Sequence, residues 1–83
     1  MKPSIGRIVH YVLTDNGANR NPGDHRPAIV VRLWPGSEAI QLQVFIDGSN
    51  DAPGAESMVW ATSVMQDEDT KAPGTWHWPE RDE

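Results

Sequence analysis

Eighty-three residues fit one domain and leave no room for a second, and a chain this short buries only roughly 60–65% of the surface its unfolded form exposes. Cysteine is absent, which removes disulfides and thiolate zinc sites together as reinforcement for a thin core. The net charge of −5 divides unevenly, with five basic side chains against two acids in residues 1–36 and two against ten in residues 37–83; this suits a local site for a small anion, or equally solvated surface charge that folding neutralises, and is a poor design for long nucleic acid, whose phosphates the acidic half would repel.

Period-2 patterning dominates from the start. Residues 5–14 (IGRIVHYVLT) read as a strand with Ile8, His10 and Val12 on one face and Val9, Tyr11 and Leu13 on the other. The polar segment 15–26 follows, with Asn16-Gly17 and Asn21-Pro22-Gly23 as turn signals. At about a dozen residues it is too long for a tight hairpin, and loops of that length are often functional. Residues 27–34 (PAIVVRLW) form the second strand, ended by Pro35-Gly36. The third, 39–47, has the clearest alternation, with Ile40, Leu42, Val44 and Ile46 pointing one way. A turn-rich connection over 48–57 leads to the fourth strand, 58–65, which places Met58, Trp60, Thr62 and Val64 together. After an acidic stretch broken by Pro73-Gly74, residues 75–78 (TWHW) make a short last strand, with Trp76 and Trp78 on one face and His77 opposite. The expected architecture is all-β: one domain over residues 5–79, built as an antiparallel SH3-like barrel or curled sheet of about five strands, with an acidic tail over 80–83.

The opening MKPSIGRIVHYV does not read as a signal peptide, because a proline follows its single lysine and Gly6, Arg7 and His10 interrupt the apolar stretch. No apolar run approaches the ~20 residues of a membrane span. Four tryptophans supply adhesive surface, so a homo-oligomer is expected.

Catalysis finds little support. There is no G-x-S-x-G elbow, and the paired carboxylates Asp67, Glu68 and Asp69 read as a solvated turn. His10, His25 and His77 are far apart in sequence, with no H-x-x-x-H or H-E-x-x-H spacing, and a lone strand histidine is more often a structural hydrogen bonder. No enzyme, no metal and no cofactor is therefore expected. His25-Arg26, at the end of the long loop, offers guanidinium geometry suited to phosphate or carboxylate, while Arg7, His10 and Tyr11 lie on the neighbouring first strand. The alternative is that Arg26 anchors the loop to an acid such as Asp24 or Asp47, and the two readings stand side by side. Aromatic rings stack on bases as readily as they build cores, and Asn50, Asp51, Thr62 and Ser63 suit a base edge or a turn cap equally.

The segments HRPAIVVRLW, LQVFIDGSND, VWATSV and GTWHWPE together resemble a group of short proteins encoded by tailed bacteriophages and prophages, over about residues 6–80. The resemblance implies an accessory protein acting in the host cytoplasm and carries over no catalytic residues. The function expected is a sponge: a non-catalytic protein that sequesters a nucleotide immune signal of the host, of cyclic dinucleotide or ADP-ribose type. Its ligand site would comprise Arg7, His10, Tyr11, His25, Arg26, Asn50, Trp60 and Thr62. A phage structural or assembly subunit and an acidic protein-binding inhibitor of a host factor are the alternatives.

Overall fold

The computed structural model describes residues 2–14, 21–51 and 57–80. Five strands follow one another: β1 (Ile8–Val12), β2 (His25–Leu33), β3 (Ile40–Phe45), β4 (Met58–Gln66) and β5 (Thr75–His77), with a single helical turn, α1 (Gly48–Asp51), between β3 and β4. They close into a barrel in the order β1-β2-β3-β4-β5, with β5 back against β1. This is the small all-β barrel expected, consistent with an SH3-like fold. Four of the strand pairs are antiparallel, and the closing β4–β5 pair is parallel over Met65↔Thr75 and Gln66↔Trp76. No described helix is long and apolar enough to cross a membrane.

Alternation explains most of the core. Val9 of β1, Ala28 and Val30 of β2, Ile40, Leu42 and Val44 of β3 and Trp76 of β5 are all buried in one cluster, with Leu13 and Ile46 added just beyond the strand ends. β4 departs from the pattern. Met58 and Trp60 are exposed, whereas Ala61 and Val64, three apart, both enter the core. The cause is a bulge: Leu42 pairs with Ala61 and Ile40 with Val64, so three steps on β4 match two on β3. Ser63 takes a left-handed backbone there (φ 55). The buried Gln41 accepts from Thr62 Oγ1 and from Ser63 N at 2.7 Å each through its Oε1, satisfying the bulge.

Closure against β1 depends on the residue before β5. Gly74 has φ 87, donates its N–H to Val12 O at 2.9 Å, and leaves only 3.2 Å between an added Cβ and Thr14 Cγ2. A glycine therefore suits both the conformation and the close approach of the two chain segments.

One end of the barrel is shut by an ion pair. Asp51 is fully buried; its Oδ2 accepts from Arg26 Nε at 2.6 Å and Asp47 N at 2.7 Å, and its Oδ1 from Arg26 Nη2 and Asn21 Nδ2 at 2.7 Å each. Those four donors hold the Asp51 carboxyl far below the ordinary carboxylate range, the Arg26 hydrogen bond being the largest cause and burial opposing it.

Candidate metal centre

The register of β2, β1 and β5 decides which side chains meet on the outer face of the barrel. His10 pairs directly with His77 across β1–β5, and His25 pairs with Val12, two residues along β1 from His10. Side chains alternate along a strand, so His10 and Val12 share a face and bring His25 and His77 to either side of it. The rings touch edge to face: His10 and His77 centroids lie 5.6 Å apart, those of His25 and His77 4.6 Å. His77 is wholly buried, whereas His10 and His25 are about one-third exposed.

Glu80 completes the group. Pro79 follows β5, and Glu80 turns back so that its Oε1 lies 2.8 Å from His77 Nε2, 2.9 Å from His25 Nδ1 and 3.4 Å from His10 Nδ1. Its pKa is lowered to about 2, by hydrogen bonding to His77 first and His25 next, with burial acting the other way. Each hydrogen bond here requires the ring nitrogen facing Glu80 to carry a proton. His77 Nδ1 is buried with no hydrogen-bond partner among the described residues. Ligation of an ion through Nε2 would place the ring's proton on Nδ1, where no described residue accepts it.

One donor atom from each of His10, His25, His77 and Glu80 lies within 4.8 Å of the others. A tetrahedral zinc ion sits about 2.0–2.2 Å from nitrogen and carboxylate ligands, which puts neighbouring donors roughly 3.3 Å apart. Ligation would require the imidazole nitrogens to close to that distance, with Glu80 Oε1 moving from the focus of the three rings to a fourth vertex. Three imidazoles and a carboxylate suit zinc and its first-row neighbours better than magnesium or calcium, which prefer all-oxygen sites.

The eight residues expected to bind a ligand have different surroundings. His10 and His25 belong to the cluster just described. Arg26 is committed to Asp51, and further to Asp24 Oδ2 at 3.3 Å and to His25 O at 2.9 Å through Nη1. Asn50, on α1, donates through Nδ2 to Asp47 Oδ2 and through its backbone N to Asp47 O. Tyr11 is half-buried against the core, and its hydroxyl pKa is raised by burial, partly offset by a hydrogen bond with Thr14. The Arg7 guanidinium lies 5.5 Å from the Trp78 ring centroid. Trp60 is half-exposed on β4, and Thr62 is hydrogen-bonded at the bulge. Two residues essential to the cluster, His77 and Glu80, lie outside that set. The sequence offers no spacing motif for His77, and Glu80 reads there as part of an acidic tail.

Comparison with family models, with curated proteins and with solved structures gave no match to this chain.

Proposed function

We propose that this protein is a metal-binding module that holds one divalent first-row ion, zinc being the natural probe, through His10, His25, His77 and Glu80. The observation that carries the reading is the convergence of three imidazole nitrogens on a single carboxylate oxygen. Four protein ligands would fill a tetrahedral coordination sphere, the pattern of structural sites, while the partial exposure of His10, His25 and Glu80 leaves the site reachable from solvent.

The sequestering role suggested by the phage resemblance enters this proposal in one form. With Arg26 bound to Asp51, a nucleotide phosphate would reach the ion by displacing the half-exposed Glu80 and would not meet a free guanidinium. The protein would then bind without turning its ligand over.

Zinc titration by calorimetry, with the metal content of the dialysed protein measured in parallel, tests the metal reading. One ion per chain is expected, with affinity falling as pH falls, because each imidazole must be deprotonated to ligate. His25→Ala, a change at a half-exposed position, should weaken binding by about a hundredfold while leaving the fold intact. If His25→Ala binds zinc as tightly as the parent chain, the four residues are instead a hydrogen-bonded staple that ties the segment after β5 to the barrel.

A further inference from the structure

One outer face of the barrel is apolar. Ile8 of β1 pairs with Ile29 of β2, Ile29 with Gln43 of β3, and Gln43 with Trp60 of β4, so the four side chains stand in a row on the outside. A second row lies beside it. There Phe45 pairs with Met58, and the pairing of Ala28 with Val44 brings Pro27 alongside Phe45. Ile8 and Trp60 are more than half exposed, and Pro27, Phe45 and Met58 are exposed as well. Together these side chains offer roughly 500 Å² to solvent, as much as the largest apolar patch on a typical monomer, about 300–600 Å².

Charge and area identify the occupant. At a two-fold contact like meets like around the axis, so two chains of net charge −5 approach best through a centre without charge. None of the side chains in the two rows is charged. The ends of the face, in contrast, carry opposite charges. Exposed Arg32, held over the Trp34 ring, pairs with Gln41 at one end. Exposed Asp47 lies two residues beyond Phe45 at the other, about 20 Å away along the strand. A two-fold axis lying across the strands reverses their direction and sets Arg32 of each copy against the partner's Asp47; an axis along the strands would set arginine on arginine. The area agrees. A standard dimer takes roughly 800 Å² from each copy, about 65% of it apolar in homodimers, and the two rows supply that apolar share.

We propose that this face is the contact of a two-fold dimer, in which a second copy of the chain docks face to face with its strands reversed. Trp60 lies in the contact as its largest anchor. The dimer does not involve the histidine cluster and does not rest on the metal reading.

Sedimentation velocity between about 5 μM and about 0.5 mM, in EDTA so that no metal bridges the chains, tests it. A monomer–dimer equilibrium with half-association at about 50 μM or below is expected. Trp60→Glu places a carboxylate in the contact and should weaken the dimer by about a hundredfold or more, while circular dichroism establishes that the variant folds. Arg32→Glu and Asp47→Lys should each weaken it by about tenfold, and the double variant Arg32→Glu/Asp47→Lys should recover most of the loss. A merely structural role for either residue gives no such recovery. A parent chain that stays monomeric up to about 0.5 mM would overturn the proposal and leave the face to a partner of another kind. A dimer that survives Trp60→Glu, or a double variant no better than the single ones, would overturn it too.

Discussion

Asp51 and Glu80 both gather partners from distant parts of the chain, yet the two carboxylates are finished differently. Asp51 is shut away from solvent and accepts four hydrogen bonds, two on each oxygen. Glu80 is nearly half-exposed and meets three imidazoles through one oxygen. A carboxylate with every lone pair met has no capacity left for an external ligand and serves the fold. One shared among groups that are themselves metal ligands, on an accessible face, has capacity to spare. Saturation separates the two better than burial alone, because His77 is as deeply buried as Asp51.

The largest effect that would break this comparison comes from Arg26→Ala. Removing the guanidinium strands a buried carboxylate, and unfolding in urea should show a loss of about 3–5 kcal/mol, a large share of the roughly 5–15 kcal/mol that holds a typical small domain together. The variant is therefore a probe of the barrel end and not of ligand binding. A loss under about 1 kcal/mol would mean that Asp51 is not enclosed as described.

Acid sharpens the contrast. Both carboxyls titrate lower when folded than when unfolded, so their contributions are complete above the unfolded values of 3.8 and 4.5 and fade as pH falls. For Glu80 the fading spans pH 4.5 down to about 2. Urea midpoints measured across that window should fall less steeply in Glu80→Gln than in the parent chain, with the Asp51 contribution fading alike in both below 3.8. Identical slopes would show that Glu80 is not paired with the histidines in solution.

The smallest expected effect lies at the β4 bulge. Thr62→Val removes one of two hydrogen bonds to Gln41 Oε1 and leaves that from Ser63 N, so thermal unfolding should report a loss of about 1 kcal/mol. Zinc affinity should be untouched, since β4 contributes none of the four candidate ligands.

Local patterning made much of this legible. The alternation of β3 predicted its buried face residue by residue, and the same rule placed His10 with Val12 and His77 opposite the two tryptophans. Alternation failed at β4, where the bulge resets the phase between Ala61 and Val64, a change carried by the hydrogen bonds of Gln41 and not by any repeat. The anchoring alternative for Arg26 names Asp24, which is a partner, and Asp47, which instead meets Asn50 and Asp51, but misses Asp51, because nothing in a GSND turn announces a buried acid. The histidine cluster was hidden for a topological reason. His10 and Glu80 are 70 positions apart and His25 and Glu80 are 55 apart, and only the return of β5 to β1 joins them. The one local signal was the three-residue step from His77 to Glu80 across Pro79.

That return has a kinetic consequence. The four candidate ligands come from β1, β2, β5 and the residue that follows the turn after β5, so no hairpin of neighbouring strands contains the whole set. An ion would find its full complement only once the last strand has docked, late in folding, where long-range pairings form. Interactions absent from the transition state slow unfolding and leave the folding rate almost unchanged. Bound metal would then act as a latch on the finished barrel, lengthening the life of the closed state without guiding the chain toward it.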